Sequence, residues 1–220
     1  MSGSITKDEF ARMITGAAAM IRARHAALSA LDCVAGDGDH GATMLRVAQQ
    51  LEKAFAPGGE EDLRACLREA GWSVLGVDGG ASSSLFGIFF GGMADAPADA
   101  GATGASQLAA MFEAGLATVR KQTKAQPGDK TMMDALVPAI AALRAAADAG
   151  KGVKESLYDA AAAARTGMEG TRHLTARYGR ARLLGEKTRG HEDPGAASMS
   201  LIFEGFYDGF GESKGESGNA

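Results

Sequence analysis

Apolar residues recur three and four positions apart along almost the whole of this chain, inside stretches so rich in alanine that helix is the natural reading of each. Period-two alternation is hard to find, and Val and Ile are sparse. Such a pattern points to helices packed on helices, with no sheet. Thr6 and Glu9 have capping-box spacing, which predicts the start of the first helix, and Phe10, Met13, Ile14, Ala17 and Ile21 then form one apolar stripe. A second helix is expected over 42–55, stopped by Pro57-Gly58-Gly59, and a third over 61–75. A fourth should begin at Ser82-Ser83-Ser84 and carry Leu85, Phe86, Ile88, Phe89 and Phe90. Others are expected from Ser106 onward, over 131–149 with Pro138 either kinking it or tolerated with local strain, over 153–171, and over 196–210. Segments 95–104 and 172–195 read as loops, and 211–220 as a disordered tail. The expectation is an all-α bundle of about eight antiparallel helices, one domain over 1–220.

Composition narrows the function. Hydrophobic residues make up 45% of the chain, enough for a packed core. The balance of 23 Lys+Arg against 27 Asp+Glu gives a formal charge of -4, without the cationic footprint of a general nucleic-acid or membrane-surface binder. Neither is expected as a partner. The two cysteines, Cys33 and Cys66, show no zinc-site spacing and are read as inert small apolar residues. The N-terminal residues lack the apolar core of a signal peptide, and no stretch has the length of a membrane span, so a cytoplasmic setting is expected.

Residue types that do chemistry collect in four inter-helix segments, which short connections between antiparallel helices could bring to one end. In LDCVAGDGDHG, Asp32, Asp37 and Asp39 crowd together among glycines. Carboxylates so close repel unless a cation sits among them, and hard oxygen ligands suit Mg²⁺, Mn²⁺ or Ca²⁺ rather than Zn²⁺. The EF-hand pattern fails, because the twelfth position from Asp37 is Ala48; a solvated Asp/Gly turn is the bland alternative. The following helix would offer free N–H groups near Gly41, Ala42 and Thr43 to a phosphate. In VDGGASSSLFG, Ala81 and Ser82 could do the same, or simply cap a helix; neither a Walker A loop nor a GxGxxG fingerprint is present. In QPGDKTMMDALVP, Asp129 or Thr131 is the natural N-cap, Lys130 could neutralise a phosphate, and Met132 could press on a purine or belong to the core. In RYGRARLLGEKTRGHEDPGAAS, Arg177, Arg180, Arg182, Lys187 and Arg189 make a basic flap whose arginines could meet phosphates or stay solvated.

Taken in order, GDGDHG, GGAS followed by LFG and FF, PGDKTM, and then GRA, LGE and GHEDPGA resemble the ADP-binding L subunit of dihydroxyacetone kinase, which is homologous to the C-terminal domain of the single-chain enzymes. The resemblance implies an eight-helix barrel with the nucleotide at one end. It implies Mg²⁺, two ions, on Asp32, Asp37 and Asp39. It further implies ATP or ADP contacts from His40, Gly41, Ala42, Thr43, Ala81, Ser82, Thr123, Met132, Arg180, Asp193, Pro194 and Gly195. Substrate residues are expected on a partner K-type subunit, and the assembly is expected to be a homodimer of this chain or a heterotetramer with that subunit. The donor would be free ATP, or bound ADP recharged by a phosphocarrier protein of the phosphotransferase system. This chain departs from the family pattern at Ser83-Ser84, where Gly-Pro is common, at Glu192, where Gln is common, and at Thr43, where Asn is common. Rival readings are a nucleotide-sensing regulatory protein and the nucleotide domain of a fatty acid kinase, whose acidic motif resembles DGDTG where this chain has His40.

Overall fold

The computed structural model describes residues 4–59, 62–97 and 104–211, apart from the side chains of Ala81 and Ser82. Eight α-helices follow one another among them: α1 (Lys7–Asp32), α2 (His40–Ala54), α3 (Leu63–Leu75), α4 (Gly80–Met93), α5 (Gly104–Gln122), α6 (Met133–Asp148), α7 (Val153–Gly170) and α8 (Pro194–Gly209). No strand occurs among the described residues. The expected tail lies outside the described residues from 212 on, and so do residues 98–103 of the expected loop 95–104.

Each helix packs on the next, and α8 packs on α1, so the helices close into a ring. Close backbone approaches set their directions. A Cβ on Gly16 would lie 2.1 Å from the Gly205 carbonyl oxygen, and one on Gly209 would lie 2.2 Å from that of Arg12, which runs α1 and α8 antiparallel with almost no side chain between them. Gly71 meets Gly91 and Gly87 in the same way between α3 and α4. The centre is filled by aromatic rings. Phe206 of α8 touches Phe10 of α1, Phe90 of α4 and Phe112 of α5, helices that do not all neighbour it in the ring. All four rings are fully buried, and each contributes about 1.5–3 kcal/mol of apolar transfer.

The capping box at Thr6 and Glu9 forms as expected. Two expectations are corrected, and of the two outcomes open for Pro138 the helix takes the tolerant one. The fourth and fifth helices begin earlier, at Gly80 and Gly104. Helix α6 passes through Pro138 without a break: the Asp134 carbonyl, which a proline four residues on cannot satisfy, lies where a Cβ on Gly167 would be 1.9 Å away, so α7 supplies a Cα–H surface there. Segment 172–195 is not a plain loop. It opens with a 3-10 turn at Thr171–His173 and contains a 3-10 segment, Arg180–Thr188, interrupted at Gly185 (φ 55°). The Thr188 hydroxyl donates to the Gly185 carbonyl at 2.8 Å and accepts the Ala176 N–H at 3.0 Å, which folds the segment back on itself.

Because directions alternate around the ring, the connections α1–α2, α3–α4, α5–α6 and α7–α8 share one end.

Candidate functional site

Helix α1 ends at Asp32 and α2 begins at His40, so the acidic turn is held between two helix ends. Asp32 folds the turn around itself. Its Oδ2 accepts the Gly38 N–H at 2.9 Å and the His40 N–H at 3.4 Å, and Gly38 takes a left-handed φ of 78° to point its N–H inward. Asp32, Asp37 and Asp39 then each offer one carboxylate oxygen within 4.8 Å of the others. Asp37 and Asp39 are exposed and Asp32 is partly buried. Their electrostatics diverge. The Arg180 guanidinium, donating to Asp37, holds that carboxyl below the usual range. Asp39 is pushed up, first by loss of water and then by the charges on Asp37 and Asp32. Three hard oxygen donors with open faces and mutual repulsion are a donor set that fits a divalent cation such as Mg²⁺.

The start of α2 adjoins this turn. The first bond across its opening turn runs from the Thr43 N–H to the Asp39 carbonyl at 2.9 Å, so the N–H groups of Gly41 and Ala42 point out of the helix end. Gly41 also lets α1 in: a Cβ there would sit 1.9 Å from the His25 carbonyl oxygen. The side chains of His40 and Thr43, expected at the ligand, point into protein. His40 is buried, its Nε2 is 3.0 Å from the Ser198 hydroxyl, and it makes a backbone hydrogen bond to Pro194. Burial lowers its pKa, favouring the neutral ring, and its contacts tie the start of α2 to the start of α8. Thr43 is covered by Gly79, where a Cβ would lie 2.2 Å from the threonine methyl, and its hydroxyl accepts from Arg46. Arg46 also donates to the Asp78 carbonyl at 2.7 Å, which draws the second loop against the first. There the Ser83 and Ser84 hydroxyls both turn back onto the Gly80 carbonyl. Ala81 and Ser82 lie in the first turn of α4, which follows the extended Gly79 and opens on the left-handed Gly80 (φ 67°).

The third loop is built on Asp134. Its two oxygens accept the Gly128 N–H at 2.6 Å and the Thr131 N–H at 2.7 Å, so a residue inside α6 satisfies the helix start. Neither Asp129 nor Thr131, the expected N-caps, takes that position; it falls to Met132, which has no side-chain cap bond. Asp129 folds its own turn by accepting the Gln126 N–H at 2.8 Å. Lys130, expected at a phosphate, is buried and gives its ammonium to the carbonyls of Thr171 and His191. Met132 is buried beside Gly195. Thr123 stands at the end of α5, its hydroxyl accepting the Ala125 N–H at 3.1 Å.

The fourth loop leans on the other three. Asp193 caps α8 by accepting the Ala196 N–H at 2.8 Å, and Pro194 and Gly195 open the helix. Residue 193 keeps part of its surface, yet burial of its carboxyl group and the nearby Asp134 charge push its pKa up to about 7. Arg180 reaches the acidic turn, and Arg177 pairs with Asp129 at 3.2 Å. Glu192 is engaged by Arg172 at 2.6 Å. So Asp32, Asp37, Asp39, Gly41, Ala42 and Arg180 meet at the first turn, Met132 and Asp193 to Gly195 meet at another point of the same end, and Thr123 stands apart at the end of α5. Sequence reasoning missed Ser198 and Asp134. Ser198 carries no local signal, whereas an acid three residues after Thr131 at a helix start is a readable one.

The DAK2 domain model matches residues 34–208. This chain belongs to the DAK2 family. It is 32% identical over 201 residues to the ADP-binding subunit DhaL of the PEP-dependent dihydroxyacetone kinase of Escherichia coli K12, covering 91% of this chain and 96% of that protein. It is 39% identical over 176 residues to the ADP-binding subunit DhaL of dihydroxyacetone kinase 1 of Listeria innocua, covering 80% and 83%. Among solved structures, the dihydroxyacetone kinase of C. freundii in complex with AMP-PNP and Mg²⁺ superposes with a TM-score of 0.70 at 28% identity, over 90% of this chain and 33% of that one. The chain thus spans about a third of that larger enzyme. These relatives are named as kinases or kinase subunits, which places the chain in a phosphotransferase family, and the eight helices with the fold shared with the C. freundii enzyme bear out the all-α expectation. The DAK2 match takes in all four loops, with Asp32 just before its start. No helix among the described residues is long and apolar enough to cross a membrane.

Proposed function

We propose that this chain is the nucleotide-binding subunit of a dihydroxyacetone-type kinase, passing a phosphoryl group from a bound nucleotide to a hydroxyl of a short-chain keto sugar held by a separate K-type subunit. The observation that carries this reading is the convergence of Asp32, Asp37 and Asp39, with oxygens within 4.8 Å of one another, beside the open start of α2 and under Arg180. The names of the relatives support it: two are ADP-binding subunits, and the C. freundii enzyme was captured with AMP-PNP and Mg²⁺.

In this reading the three aspartates hold Mg²⁺, in one or two ions. When bound, the cation supplies positive charge that offsets what develops on the phosphate oxygens. The chain's own groups position the nucleotide. The N–H groups of Gly41 and Ala42 and the first turn of α4 at Ala81 and Ser82 face the phosphates. Arg180 would exchange Asp37 for a phosphate oxygen, and Met132 and the Asp193–Gly195 turn would line the nucleoside, with Thr123 farther off at the end of α5. His40 and Thr43 act behind this surface, by fixing the start of α2. The keto sugar sits on the partner, and the barrel end docks there, as a heterotetramer or around a homodimer of this chain.

The test mixes this chain with a K-type subunit, Mg²⁺, and dihydroxyacetone or erythrulose, and measures sugar phosphate. One arm supplies ATP and the other supplies ADP with a phosphocarrier protein of the phosphotransferase system and its donor. Product in either arm, and very little from this chain alone, is expected. No product in both arms would sink the assignment.

A further inference from the structure

Segment 172–190 leaves the barrel after Thr171 and returns before His191. One side chain bridges both of its feet. The Lys130 ammonium donates to the Thr171 carbonyl at 2.6 Å and to the His191 carbonyl, across gaps of 41 and 61 residues in sequence. Around this point the neck closes further. The Gly190 N–H donates to the Arg172 carbonyl at 2.8 Å, and the Asp193 N–H donates to the Thr171 hydroxyl at 2.9 Å. Lys130 reaches this place by adopting a left-handed φ of 59°, the one non-glycine residue to do so among the described residues. A lysine has no intrinsic preference for that conformation, so its surroundings must hold it there. It is buried, with Asp134, Asp193 and Glu192 supplying the counter-charge.

We infer that Lys130 is a positioning residue for the flap over the site: by pinning both feet of segment 172–190 it fixes where Arg180 and the Asp193 turn stand. Lys130 is not itself a phosphate contact, because its ammonium is enclosed and already spends donors on two carbonyls. The preceding loop residue reinforces the arrangement, since the Asp129 carbonyl accepts the Arg177 N–H at 3.1 Å inside the flap. The nucleotide part of this inference rests on the function proposed above; the flap part does not.

Two measurements separate them. Hydrogen exchange read by mass spectrometry compares the full chain with Lys130→Met, which keeps the stem and removes the ammonium, and with Lys130→Arg, which can still donate to both carbonyls. In Lys130→Met, amides of 172–193 should exchange at least about tenfold faster while α1, α4 and α8 keep wild-type protection, and Lys130→Arg should recover most of the loss. Calorimetry with ADP and Mg²⁺ should show affinity falling about tenfold in Lys130→Met. Unchanged flap exchange, or equal acceleration in every helix, overturns the inference. If Lys130→Met does not fold, Thr171→Val decides: it removes the acceptor for the Asp193 N–H, and should loosen 188–193 while α1 and α4 are unaffected, uniform loosening again counting against it. Wild-type protein that binds no ADP but shows the exchange pattern overturns the proposed function and leaves the latch standing.

Discussion

Two acidic clusters share one end of this barrel and are neutralised in opposite ways. At the α1–α2 turn, Asp37 and Asp39 are exposed beside the partly buried Asp32, which accepts backbone N–H groups, and a single arginine from another loop donates to Asp37. At the base of the flap, Asp134 and Asp193 lie around the buried Lys130, and their oxygens are taken by the N–H groups of Gly128, Thr131 and Ala196. The second cluster carries its own cation and holds loops together. The first leaves room for a cation from solution. Acidic residues close in space therefore do not by themselves mark a metal site; what separates the two is whether the chain has already spent the oxygens.

That contrast can be broken. The largest effect should come from Asp37→Asn, which removes a donor from the open cluster. Loss of groups merely behind a metal ligand costs about 10–100-fold, so Mg²⁺-dependent ADP affinity should fall by more than about a hundredfold in calorimetry, with the melting temperature almost unmoved. Asp134→Ala attacks the closed cluster instead. Two N–H groups lose their acceptor, and denaturant unfolding should show a loss of roughly 2–4 kcal/mol. Wild-type stability in that variant would mean that the closed cluster is no scaffold.

Asp193 gives the contrast a pH signature. Its folded pKa of about 7 lies above the ordinary carboxylate value, so the folded state binds the proton more tightly than the unfolded chain. That contribution is complete below about pH 4 and is lost as pH rises through 7. Asp193→Asn keeps a good N-cap and removes the titration. Between pH 4 and 7 wild type should lose stability relative to this variant by roughly 2 kcal/mol, discounted for the residue's partial contact with solvent. Parallel curves in chemical denaturation across that range would contradict the shift. The smallest effect belongs to Arg180→Ala. Its pair with Asp37 is exposed, so stability should hardly change, but Mn²⁺ binding without nucleotide, followed by electron paramagnetic resonance, should tighten by roughly threefold because the guanidinium no longer competes for Asp37.

What could be read in the sequence follows the same division. The open cluster is local: Asp32, Asp37 and Asp39 are near neighbours in the chain, so their crowding is visible before any tertiary contact is known. Helix α1 is equally legible, because Thr6, Glu9 and the stripe from Phe10 to Ile21 act over single turns. Lys130 is not. A lysine beside a glycine turn reads as a phosphate group, and only contacts with residues far along the chain turn it inward. His40 misleads for a related reason, since its partner Ser198 is 158 positions away. The 3-10 segment from Arg180 to Thr188 hides because glycines at 179, 185 and 190 look like loop punctuation, while the bonds that fold it run through the side chain of Thr188.

The contact between α8 and α1 has a consequence for engineering. With Gly209 against Arg12, the first turns of α1 and the last of α8 lie side by side at the pole remote from the aspartates. A short peptide could join them, and a new opening could be cut at the Pro57-Gly58-Gly59 turn of the same pole. Such a circular permutant would keep every loop of the acidic face covalently intact, because a closed ring of helices has no privileged first member.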